Sequence, residues 1–209
     1  MSAGRLFVIS GPSGGGKTTV VSALWKRMPR LMRSVSVTTR PRRPSERQGV
    51  HYRFVSPGDF ERLRAAGGLL EWARVHGASY GTPREPIERA LARGREIVLS
   101  IDVQGARQIR RRLGPRAVLV FLKPPSMREL KARLTKRRTD SPNAIRRRLA
   151  AAKRELACSR WYDVVVVNRR VAETVARVKA IIVAERARPP APTIGRRTVA
   201  RHHEGRTRT

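Results

Sequence analysis

The stretch that most constrains this chain is Gly11-Pro12-Ser13-Gly14-Gly15-Gly16-Lys17-Thr18. It has the spacing G-x-x-x-x-G-K-[ST], follows the apolar run Leu6-Phe7-Val8-Ile9, and opens a segment with helical character from Lys17 to Met28. Glycines at these positions let consecutive backbone N–H groups turn inward around an anion. A helix that starts at the loop points its positive end at the same place. Lys17 then reaches the β and γ phosphates of a nucleoside triphosphate, and the Thr18 hydroxyl is a ligand for Mg²⁺. Loops of this kind serve motors, switches, synthetases and kinases alike. What accepts the phosphoryl group has to be read elsewhere.

Four short runs, RLFVIS (5–10), REIVLSI (95–101), RAVLVFL (116–122) and YDVVVVN (162–168), are nearly continuous in apolar residues. That pattern predicts strands buried on both faces, as in a parallel sheet covered by helices. Helical segments lie between them. One is expected after Ser56-Pro57-Gly58-Asp59, through Arg64. Thr82-Pro83-Arg84-Glu85 reads as a capping box for a second, leading to Ala92, and Ser126-Met127-Arg128-Glu129 repeats the logic. Others run from about Pro142 to Cys158 and through Val171, Val175, Val178 and Ile182. Strands alternating with helices predict an α/β doubly wound parallel sheet. From Ser34 to Gly81, turn residues and alternating stretches such as SVSVTTR predict an inserted subdomain with some antiparallel strand.

The 209 residues suffice for one α/β domain, and an aromatic content of 5% leaves its core to Val, Leu, Ile and Ala. A single cysteine, Cys158, excludes an intramolecular disulfide framework and suits a reducing compartment. The first apolar run is too short for a signal peptide or a membrane span, so a cytoplasmic protein is expected. There are 47 Lys plus Arg against 15 Asp plus Glu, a net charge of +32. Such charge attracts nucleotides or nucleic acid, or else reflects arginine usage on solvated faces. The C-terminus from Arg186 holds seven Arg and three Pro, and predicts a basic disordered tail open to nonspecific polyanion contact. The oligomeric state is not set by any of these features.

The insert offers an acceptor site. Arg40 and Arg43 lie close together in a Pro-constrained segment, and two guanidinium forks can clamp one phosphate. Tyr52 and Tyr80 could each add a phenolic donor. Glu71 sits among the apolar residues of LLEWA. A carboxylate only accepts, so it suits a base edge with two adjacent N–H donors, which guanine has and adenine lacks. On residue types alone, surface arginines and amphipathic core tyrosines stay open as readings, and an exposed turn acid is the better reading of Glu71.

The segments ISGPSGGGKTT, SVSVTTRPRRPSE, GVHYRFVS, LLEWARVHGASYGTP, IVLSIDVQGARQIR, FLKPPSMRELKARLTKR and VVVVN, in this order and spacing, resemble guanylate kinase over residues 4 to 186. The resemblance implies ATP-dependent phosphorylation of GMP to GDP, and of dGMP to its deoxy diphosphate, in purine nucleotide metabolism. It implies a P-loop fold divided into a core (4–33, 83–125 and 159–186), a GMP-binding insert (34–82) and a helical lid (126–158), with the tail at 187–209. It assigns Ser36, Arg40, Arg43, Tyr52, Glu71, Tyr80, Thr82 and Asp102 to GMP. It assigns Gly11, Pro12, Ser13, Gly14, Gly15, Gly16, Lys17, Thr18, Thr19 and Asn168 to ATP. Lys17, Arg43 and the lid residues Arg133, Arg137 and Arg148 are implied for catalysis, with Mg²⁺ at Thr18.

The chain departs from that pattern in places. Ser100 stands where a strand-end acid is usual, which would weaken the hold on metal-bound water. Arg137-Arg138 replaces an Arg-Gly pair, Arg169-Arg170 replaces acids, and Ser79 and Ser45 replace a tyrosine and a glycine. A sugar-phosphate kinase, a nucleic-acid-associated protein on the same fold and a silent scaffold are the competing readings. Glu71 with the complete TTRxxR set opposes the first, and Lys17 opposes the last.

Overall fold

The computed structural model describes residues 4–75, 77–136 and 141–188. Five parallel strands form the main sheet, in the order β2-β7-β1-β8-β9. They are β1 (Arg5–Ser10), β2 (Met32–Arg33), β7 (Glu96–Ser100), β8 (Ala117–Lys123) and β9 (Val164–Val167). The apolar runs land in register, with Phe7 beside both Val98 and Val118. Successive side chains of β1 enter opposite layers, because strand residues alternate faces. Leu6 and Val8 pack with Ile87, Ala106 and Ile109 on one side, and Phe7 and Ile9 pack with Val20, Leu24 and Val178 on the other. Those partners come from α3 (Arg84–Ala92) and α4 (Val103–Leu113) on the first face, and from α1 (Lys17–Arg27) and α7 (Val171–Ala187) on the second. The sheet is therefore covered on both faces, as expected.

Two expectations change. β9 is an edge strand, so Val165 and Val167 stay 41% and 44% exposed despite the apolar run. Met32–Arg33, with no apolar run of its own, joins the opposite edge against Ile97 and Val98.

The insert builds a second, mixed sheet, β4-β3-β6-β5, from β3 (Val37–Thr38), β4 (Arg53–Phe54), β5 (Leu69–Val75) and β6 (Ala78–Pro83). Its β3–β6 and β5–β6 pairs are antiparallel, while β3–β4 is parallel. Helix α2 (Pro57–Ala65) starts at Ser56, whose side chain accepts from the Asp59 N–H, and covers this sheet with Phe60 against Val37 and Leu69. Two further helices, α5 (Met127–Lys136) and α6 (Pro142–Ala157), pack together through Leu130, Leu134 and Ala152. Ser126 caps α5 by accepting from the Glu129 N–H.

The capping box at Thr82 is not formed. Thr82 belongs to β6, the cap position of α3 is Pro83 with no side-chain bond, and the Thr82 hydroxyl donates to Glu71 instead.

Candidate active site

The glycine-rich loop turns where its sequence requires. Gly16 has φ 90°, and a Cβ there would stand 2.4 Å from Asn168 Nδ2. Pro12 and Gly15 form the turn itself, Gly15 N–H donating to the Pro12 carbonyl at 2.9 Å. Lys17 Nζ reaches back to donate to the carbonyls of Gly11 at 2.7 Å and Pro12 at 3.1 Å. Asn168 is 2% exposed. Its Nδ2 donates to the Gly15 carbonyl and its Oδ1 accepts from the Thr174 hydroxyl. The buried amide is thus spent on holding the loop, and any bearing it has on a nucleotide passes through that loop. Its own carbonyl accepts from Arg133 Nη2 at 3.0 Å.

A central cleft opens from the loop toward the insert. Ser13, Lys17 and Thr18 line it on the loop side, and Ser36, Arg43, Tyr52, Glu71 and Tyr80 on the insert side. Asp102, at the start of α4, and Arg148, from α6, complete the wall. A second cavity continues behind Ser36, Arg43 and Tyr52, and contains Arg40. A third, on the outer side of the loop, takes Gly14, Gly16, Thr19, Arg133 and Asn168. Arg137 lies outside the described residues. The structure therefore separates two arginines the sequence grouped: Arg148 faces the central cleft and Arg133 the outer cavity. Lys136 also borders that outer cavity.

Arg40 and Arg43 differ in surroundings. Both terminal nitrogens of Arg40 bind the Glu46 carboxylate at 2.7 Å, and Nη1 also donates to the Pro41 carbonyl. This pairing raises the Arg40 pKa further and holds Glu46 below the usual carboxylate range. The guanidinium also lies 5.2 Å over the Tyr52 ring, and Tyr52 packs edge-on to Tyr80 at 6.0 Å. Arg40 is thus a fixed part of the pocket wall. Arg43 borders both cavities, and its backbone N–H donates to Glu46.

Glu71 is 3% exposed and lines the cleft. Oε1 accepts from the Thr82 hydroxyl at 2.6 Å, while Thr82 itself is fully buried behind it. Burial pushes Glu71 up to about 7, and the Thr82 bond opposes that shift. Asp102 caps α4 by accepting from the Gly105 N–H at 2.9 Å, and burial raises its pKa too.

A family model described as guanylate kinase matches residues 3–185. The chain belongs to the guanylate kinase family. It is 53% identical over 180 residues to the guanylate kinase of Thermobifida fusca (strain YX), across 86% of this chain and 91% of that protein. It is 51% identical over 185 residues to that of Chelativorans sp. (strain BNC1), across 88% and 85%. Among solved structures, the guanylate kinase from Anaplasma phagocytophilum superposes with a TM-score of 0.77 at 35% identity, covering 90% of this chain and 88% of that one. The small mixed sheet is accordingly the family's GMP-binding subdomain, and the chain is an ATP-using guanylate kinase. Among the described residues no helix is long and apolar enough to cross a membrane.

Charged residues with no expectation from the sequence also line these cavities. Glu155, on α6, lines the cleft near Lys17 and Asp102, and its Oε2 is buried without a hydrogen bond. Its place seven residues after Arg148, on one helix face, was the available signal. Arg33 enters the second cavity stacked 4.6 Å over Trp25, and burial lowers its pKa. Nothing local marks it, because the edge pairing of β2 brings it there.

Proposed function

We propose that the central cleft aligns ATP, held by the loop, with GMP, held by the insert, for in-line phosphoryl transfer. The observation that carries this reading is the buried Glu71 carboxylate in the same cleft as Lys17 and Thr18. As an acceptor pair it takes the N1–H and 2-amino donors of guanine. Adenine would set its own acceptor there and leave both groups unsatisfied. Thr82 steadies Glu71 from behind. Arg43 with Ser36, Tyr52 and Tyr80 receives the GMP phosphate, and Arg40, fixed by Glu46, supplies positive charge beside it. Asp102 accepts from the ribose side.

On the donor side, loop amides and Lys17 cradle the phosphates, and Thr19, Arg133 and Asn168 border the nucleoside end. Transfer requires little covalent work beyond neutralising charge on the moving PO₃. Lys17 and Arg148 face the cleft where that charge develops. The donor set suits Mg²⁺: Thr18, Asp102 and Glu155 line the same cleft, a hydroxyl and two carboxylates that would hold the ion. When bound, the ion neutralises phosphate oxygens and orients them. We assign the division at residues 34–82 and 126–158 to acceptor insert and lid, and the setting to the cytoplasm.

Lys17→Ala separates these roles. GDP formation should fall by at least ~100-fold, as expected for losing a group that stabilises developing charge, while GMP binding by calorimetry stays near the parent value. Near-normal turnover in that variant would refute the assignment.

A further inference from the structure

β5, which carries Glu71, is an edge strand of the smaller sheet. Its outer backbone edge meets helix α4 instead of another strand. Three α4 side chains at four-residue spacing take up that edge. Gln104 Nε2 donates to the Arg74 carbonyl at 3.4 Å, and Arg112 Nη1 to the Leu69 carbonyl at 3.0 Å. Between them, Gln108 Oε1 accepts from the Trp72 N–H at 3.2 Å while its Nε2 donates to the Trp72 carbonyl at 2.5 Å. A glutamine amide has the donor and acceptor of a peptide group, so Gln108 replaces the missing neighbouring strand at the residue next to Glu71. The contact is close-fitting at the start of α4 as well. A Cβ on Gly105 would stand 2.1 Å from Glu71 Oε2, and the same N–H of Gly105 donates to Asp102. One core helix thus fixes Asp102 and, through the edge of β5, Glu71.

We infer that Gln108 is a positioning residue for guanine selectivity, locking β5 of the insert to α4 so that Glu71 meets the base in register with Asp102. This rests on the reading of Glu71 as the base acceptor. Gln108 touches neither substrate. It acts by holding the strand that presents Glu71, so its loss blurs recognition of the base and leaves the ATP side intact.

The test is Gln108→Met, which keeps length and volume but loses both bonds, assayed with GMP and with IMP, whose base lacks the 2-amino group. The expected result is about a tenfold rise in KM for GMP, the scale of one or two lost hydrogen bonds. The GMP-to-IMP ratio of kcat/KM should shrink by a similar factor, with kcat and the KM for ATP within about twofold. The Trp72 amide should also exchange faster with solvent. A merely structural role would lower melting temperature and kcat but leave the KM for GMP and the ratio alone, and that result overturns the inference. If Gln108→Met does not fold, Arg112→Met cuts the same edge and is read by the same KM and ratio, unchanged values again overturning it. Glu71→Gln is measured alongside. If it keeps the ratio, the base-reading role of Glu71 fails; if it loses the ratio while Gln108→Met keeps it, only the Gln108 inference fails.

Discussion

Among the described residues that line the cleft, Glu71 is the buried carboxylate. Its pKa rises from 4.5 to about 7 on burial in the ligand-free protein. A carboxyl group whose folded pKa is raised favours the folded state below pH 4.5 and loses that contribution as pH climbs toward 7. The loss is about 3 kcal/mol at full ionisation, at 1.36 kcal/mol per unit. Urea unfolding at pH 5 and pH 8 should show this fall in the parent protein and a much smaller one in Glu71→Gln. With Glu71 as the proposed base acceptor, GMP should favour the ionised form, because both base donors need an acceptor. Below pH 7, binding should therefore release a proton, seen by calorimetry in buffers of different ionisation enthalpy, and release should diminish in Glu71→Gln. Asn168 makes a separate prediction. Asn168→Ala frees the Gly15 carbonyl and opens a gap behind Gly16. The KM for ATP should rise about tenfold, matching the loss of a buried hydrogen bond, with the KM for GMP unchanged in steady-state kinetics.

Elements differed in how far the sequence disclosed them. The loop, the strand before it and the helices begun by Ser56 and Ser126 were legible because their causes are local: a glycine spacing, an apolar run, a hydroxyl three residues from the N–H it accepts from. Thr82 misled for the opposite reason. Its cap-like context is local, but its partner, Glu71, is eleven residues away across an antiparallel pair. β2 and β4, two residues each, are too short for any periodicity to mark. Gln108 gave no local sign either, since it acts on the Trp72 backbone, which only the fold brings near. The junction of α5 with the loop is likewise visible only in three dimensions. A Cβ on Gly14, at φ 83°, would stand 2.8 Å from Leu134 and 3.0 Å from Leu130. Gly14→Ala should cost about 1–2 kcal/mol from the left-handed backbone alone, and should lower kcat by pushing α5 off the loop. Chemical denaturation and the kcat of the same preparation check both.

At the scale of the whole molecule, transfer to GMP competes with transfer to water, and the insert and α6 line the cleft from two sides, so bound substrates should be shielded there from water. ATP hydrolysis without GMP should stay far below GDP formation. The net charge of +32 belongs to a different behaviour. Residues 189–209 hold five arginines and one glutamate, so a chain ending at residue 188 keeps most of the charge; it should keep its kcat/KM for GMP and elute only modestly earlier from heparin in a salt gradient. The proposed function joins a phosphate cradle to a guanine-reading carboxylate across one cleft. Its most direct test is a coupled assay with ATP, Mg²⁺ and a panel of GMP, dGMP, AMP, CMP and UMP, run on the parent protein and on Glu71→Ala. The expected result is turnover of GMP and dGMP alone by the parent, with both rate and selectivity for the guanine nucleotides lost in the variant. Selectivity retained by Glu71→Ala would contradict it.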